Sequence, residues 1–125
     1  MTELFMYNLS GKKAIAIKNI CRALNIGVRE ITPEEYGVRL GFILGLSDEE
    51  GMGDSDIFAE EMLYLVGFSD GLLSVFLKLL RSKKCAVELK AIATETNLDY
   101  TSSELYKEIS AEHMAMNSGE KYHQA

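Results

Sequence analysis

Acid–base chemistry in this 125-residue chain would start from His113 or Asp70. His113 follows Glu112 and continues a Leu105–Ile109 stripe at i+4, so it falls on the apolar side of a helix. An imidazole there could act as a general base, with partners drawn from Lys90, Thr94 or Asn97. The competing reading is a half-buried histidine hydrogen-bonded near a helix end. His123 lies in the tail and is set aside.

Anion binding would start from Asn8-Leu9-Ser10-Gly11-Lys12-Lys13, a turn leading into a helix. Free N–H groups and the helix dipole at such a start attract phosphate or carboxylate. The segment lacks the length and glycines of a P-loop, and no dinucleotide fingerprint is present. The competing reading, a capped turn with solvated lysines, fits it better. Asp48, Glu49, Glu50, Asp54 and Asp56 gather acid but do not match the EF-hand spacing, so a solvated acidic loop is expected and no metal site. Cys21 and Cys85 sit inside apolar patterns, as reduced core cysteines do. Lysines 83 and 84 would depress the Cys85 thiol, but a reactive thiol also needs exposure, and strand alternation sets Cys85 on the side of Val87 and Leu89. There is no C-x-x-C and no G-x-S-x-G elbow. No cofactor is called for.

These residues must be held by elements the pattern itself predicts. Leu4–Tyr7 and Met62–Val66 are apolar runs with no alternation, which suits strands buried on both faces. Val28–Ile31 is half polar, as an edge strand is. Residues 85–93 alternate and predict a fourth strand. Helices are expected after Ser10, from Pro33 to Leu46, over 70–82 after the cap Ser69, and after Thr101. Thr32…Glu35 and Thr101…Glu104 both have capping-box spacing. Gly37, Gly41 and Gly45 recur on one face of the second helix, which therefore either packs closely or ends early. Residues 47–56 read as an exposed, mobile loop.

The order is βαβα, loop, βαβα, so the expected fold is α/β: a four-stranded, mainly parallel sheet, order 2-1-3-4, with helices on both faces. Helix one would cover one face, helices two and three the other. A single domain over residues 1–117 with a flexible tail at 118–125 is expected. In such a sheet a ligand crevice would open between strands one and three, lined by Asn8, Ser10, Gly11, Lys12, Gly67, Ser69 and Asp70.

Apolar residues make up 47% of the chain, enough for a folded core. A net charge of −6 and a pI near 4.9 argue against nucleic acid, and the lysines read as scattered pairs. No apolar run is long enough for a membrane span, and the start has no basic region of a secretory signal. A cytoplasmic location is expected.

Glu61-Met62-Leu63, Gly67-Phe68-Ser69-Asp70, the Leu77–Arg81 helix end, Leu89-Lys90-Ala91, Thr94, Asn97, Glu104-Leu105 and Glu112-His113 resemble a bacterial family, domain of unknown function 3783. The resemblance covers about residues 58–117. Tyr100 stands where the family carries Trp. It implies a small bacterial cytosolic protein and no assigned activity.

Helix three has more apolar surface than a sheet-covering helix needs. Leu73, Phe76, Leu77 and Leu80 form one stripe, and Leu72, Val75 and Leu79 a second. The second stripe predicts a homodimer or a protein-docking face, or else packing on helix two within the chain. A non-catalytic interaction module therefore ranks first, an anionic-ligand binder second, and an enzyme using His113 or Asp70 third.

Overall fold

The computed structural model describes the backbone of residues 1–123 and side chains as far as Met114. In chain order the elements are β1 (Glu3–Tyr7), α1 (Gly11–Ala23), β2 (Gly27–Glu30), a 3-10 turn (Pro33–Glu35) and the one-turn α2 (Leu40–Ile43). Then come β3 (Met62–Val66), α3 (Asp70–Ser82), β4 (Leu89–Ile92), a 3-10 turn (Asn97–Asp99) and α4 (Ser102–His123). The chain divides into two compact units, Met1–Thr32 with Ala59–Thr94, and Pro33–Phe58 with Glu95–Ala125. The expected tail begins inside α4, and residues 124–125 lie outside the described residues.

The first unit is an α/β sheet in the expected order, β2-β1-β3-β4. The outer pairs β1/β2 and β3/β4 are parallel. The central pair β1/β3 is antiparallel, so the sheet is mixed while remaining mainly parallel, as expected. The handedness rule constrains a strand that returns through a helix packed on its own sheet. The connection from β2 to β3 instead runs through the second unit, so it leaves the direction of β3 open.

Both helices lie on one face. Leu4, Met6, Leu63 and Leu65 share a core with Ile17 and Cys21 of α1 and with Phe76 and Leu80 of α3. The expected placement of α1 and α3 on opposite faces is therefore wrong. Reversing β3 also reverses its crossover, which brings α3 to the α1 side. Phe5, Tyr7, Met62 and Tyr64 point the other way and are fully buried. Burial of each such side chain stabilises the fold by about 1.5–3 kcal/mol.

The unit consists of one βα motif built twice. Its strands begin at Glu3 and Met62 and its helices at Gly11 and Asp70, 59 positions apart in both cases. At that spacing Asn8 (φ 60°) matches Gly67 (φ 73°), and Asn25 (φ 60°) matches Lys84 (φ 57°). Ser10 and Ser69 are the helix N-caps. Both helices close with the same Schellman motif. Ile26 N–H donates to the Cys21 carbonyl at 2.8 Å, and Cys85 N–H to the Leu80 carbonyl at 2.9 Å. The central pairing is self-complementary in the manner of a two-fold dimer. Phe5 stands opposite its own counterpart Tyr64, while Leu4 faces Leu65 and Met6 faces Leu63.

Two element boundaries differ from expectation. The predicted strand over 85–93 shortens to β4, because the Cys85 N–H is already committed to ending α3. The predicted helix 33–46 breaks into a 3-10 turn and α2. Its three glycines each weaken a helix by up to ~1 kcal/mol. Gly41 also packs so closely on the Leu98 carbonyl oxygen that an added Cβ would stand 3.1 Å from it.

The second unit is small and tied by polar caps. Thr101 and Glu104 form the expected capping box: Thr101 N–H donates to Glu104 Oε1 at 2.9 Å, and Glu104 N–H to Thr101 Oγ1 at 3.2 Å. Tyr36, Phe58 and Tyr106 stack in series, with centroids 4.6 and 4.2 Å apart. Two backbone bonds join the segments after the 3-10 turns, Leu40 N–H to the Tyr100 carbonyl and Ser103 N–H to the Tyr36 carbonyl.

Candidate functional site

Antiparallel β1 and β3 send their carboxyl ends to opposite ends of the sheet, so the seven residues of the expected crevice do not converge. Tyr7 pairs with Met62, at the start of β3, and Glu3 pairs with Val66, at its end. Asn8, Ser10, Gly11 and Lys12 therefore lie at one end. There Asn8 Nδ2 donates to the Glu60 carbonyl at 3.0 Å, and Lys13 pairs with Glu61 at 2.6 Å. Gly67, Ser69 and Asp70 lie at the other end, where Thr2 Oγ1 donates to the Gly67 carbonyl.

Asp70 is an exposed first-turn residue of α3 in the first unit, and His113 is a partly buried α4 residue in the second. Lys90, an expected partner for His113, donates its ammonium to the Val87 carbonyl. Burial pulls the Lys90 pKa down. Asn97 is buried at the start of its 3-10 turn.

The acidic loop is held at its second half rather than left free. Lys107 reaches both Asp54 and Asp56, and Thr101 Oγ1 donates to the Asp54 carbonyl at 2.7 Å. The Lys107 ammonium holds the Asp54 carboxyl below its ordinary range. Both cysteines are free and buried, as expected. Burial pushes the Cys21 thiol up to about 12. It raises Cys85 as well, outweighing the opposing charges of Lys13 and Lys83. Neither thiol is an activated nucleophile.

The residues named for an interface form a coherent surface. Val75 is 46% exposed, while Leu72 and Leu79 are half-buried where α3 meets the shared core. Beside them runs a mainly apolar groove of 340 Å³ between the two helices. Its wall on α1 is Ala16, Asn19, Ile20 and Ala23, a spacing of i, i+3, i+4 and i+7, and its wall on α3 is Leu79 and Lys83. Ile15, 59% exposed, stands on the same helix. A wider cleft of 610 Å³ opens beside β2, but there Glu30 already pairs with Lys18 at 3.2 Å.

The helix layer also has a charge that the pairwise reading of the lysines missed. With the residues that close them, α1 and α3 carry Lys12, Lys13, Lys18, Arg22, Lys78, Arg81, Lys83 and Lys84, eight of the 13 basic residues. They carry one of the 19 acids, Asp70. The signal was present in the sequence as two acid-free runs, 11–29 and 71–87, and became a surface only when both helices reached one face. Among the described residues, only Lys13 and Lys18 of the eight have a carboxylate partner.

No helix among the described residues is long and apolar enough to cross a membrane. No curated protein and no solved structure matches the chain. One family model matches residues 61–116, a span from the start of β3 into α4. That span is the second of the two β-α-β units with the 3-10 turn and helix that follow it. Residues 61–116 of this chain are thus similar to the family described as Domain of unknown function (DUF3783).

Proposed function

We propose that the chain is a non-catalytic interaction module that docks a protein partner across the outer face of α1 and α3. The observation that carries this reading is the mainly apolar groove between the helices, with Ile15 and Val75 exposed on the same two helices. Soluble surfaces carry isolated apolar residues routinely, but an apolar groove with exposed neighbours marks a contact site. The catalytic alternatives have weaker support, since Asp70 is an exposed residue at a helix start and both thiols are buried. Two free, buried thiols also favour a reducing cytoplasm, and the family resemblance favours a bacterial source.

Replacing Val75 with a photo-crosslinking amino acid in the full chain, inside its native cells, tests the docking face. Ile57, 74% exposed in the second unit, serves as the control position. Discrete protein adducts at Val75 and none at Ile57 are expected. Equal or absent labelling at the two positions would remove this function.

A further inference from the structure

We infer that the partner segment is an acidic amphipathic helix, seated lengthwise in the α1/α3 groove; this rests on the docking face proposed above. The 13 residues of α1 give a groove about 20 Å long at 1.5 Å per residue, the length of three to four helical turns. Small side chains at Ala16 and Ala23 make the floor concave, so it accepts leucine-sized knobs from an apposed apolar stripe. Lys83 lines the groove, and Lys12, Lys78 and Lys84 stand on or close the same two helices, none with a carboxylate partner among the described residues. A segment with glutamates flanking its apolar stripe satisfies both features at once.

Other occupants fit less well. A second copy apposed through the same face would set Lys83 and the other lysines of the same helix against their own copies, a repulsive two-fold contact. A single-stranded nucleic acid needs stacking platforms. The aromatic side chain of α3, Phe76, is fully buried, and α1 has none. A bilayer takes up protruding large apolar side chains, whereas this floor is recessed and the chain as a whole carries −6.

The test is fluorescence anisotropy of the full chain with a labelled synthetic peptide of about 16 residues, leucine at i, i+3, i+4 and i+7 and glutamate elsewhere. Saturable binding is expected. Both Ala23→Phe, which fills the floor without changing charge, and the pair Lys78→Glu with Lys83→Glu should weaken it by about tenfold or more. Circular dichroism confirms that the variants fold. A composition-matched peptide with its leucines scattered should not bind. Equal binding of the scattered peptide, or full binding by Ala23→Phe, overturns the inference in favour of charge adhesion alone. Tighter binding of a labelled oligonucleotide or of phosphatidylserine vesicles overturns it, as does self-association lost on Ala23→Phe. No peptide binding with Val75 adducts intact overturns the helix chemistry and spares the docking face; loss of both removes the two together.

Discussion

Residues 3–26 and 62–85 fold alike, yet at matched positions only Leu4/Leu63, Ser10/Ser69 and Arg22/Arg81 are the same residue. What the copies share is pattern: apolar strands, a left-handed residue after each strand, a serine cap and a Schellman close. Where they differ is the outer helix surface. Lys13 and Lys18 of α1 become Leu72 and Leu77 of α3. The motif thus requires its core face and its backbone turns, and leaves the outer face free to specialise. The family model covers the second copy, and residues 3–26 repeat its βα motif in structure with little shared sequence.

The largest expected effect tests whether the two cores are equivalent. Ile17 and Phe76 occupy matched sites and are both fully buried. Phe76→Ala should cost about 3–5 kcal/mol and Ile17→Ala about 2–5 kcal/mol in urea unfolding. A loss confined to one variant would show that the copies do not share a single core.

The turn after each strand sharpens the comparison. Gly67 has φ +73°, and a Cβ there would collide with the Met1 carbonyl oxygen. Gly67→Ala should cost about 1–2 kcal/mol from the left-handed backbone alone, with the collision adding to it. At the helix ends the sign reverses. Lys84 and Asn25 hold φ near +60° without being glycine. Lys84→Gly should raise stability by about 1 kcal/mol and Asn25→Gly by less, because asparagine tolerates that region. Thermal melts of the two variants check the order.

The caps should separate the copies. Ser69 Oγ accepts from Leu72 N–H at 3.2 Å, while Ser10 makes no side-chain cap bond. Ser69→Ala is expected to cost about 1 kcal/mol, with Ser10→Ala nearly neutral. Equal losses would mean that both serines cap in solution.

The smallest effect lies outside the repeated motif. Asp54 titrates below its ordinary 3.8 because of Lys107, so the ion pair contributes fully above that value and fades as pH falls through the lowered one. Lys107→Met should flatten the acid side of the stability profile and change little at pH 7, since exposed pairs are screened. Urea titrations at neutral and acid pH measure the difference.

The legible parts of the fold were those settled by nearby residues. Leu4–Tyr7 and Met62–Val66 have apolar side chains on both faces, which forces a central position, and that fixed the strand order. Ser69 before an apolar helix and the Thr101/Glu104 pair marked real helix starts. Three glycines obscured residues 33–46, where a helix was readable but the Leu98 backbone prevailed. Of the candidate site, Leu72, Val75 and Leu79 were visible as surplus apolar surface. Their neighbours Ala16, Asn19 and Ala23 were not, because small side chains leave no periodic signal.

By itself the sequence determined the elements, their order in the sheet and the burial of both cysteines, since propensity, capping and alternation act over a turn or a strand length. Only the tertiary structure decided the direction of β3. That choice belongs to a connection through the second unit, whose local chemistry says nothing about where it re-enters the sheet. The direction of β3 separated the expected crevice into two distant ends and gathered two lysine- and arginine-rich helices, with Asp70 their one acid, into one basic, grooved face.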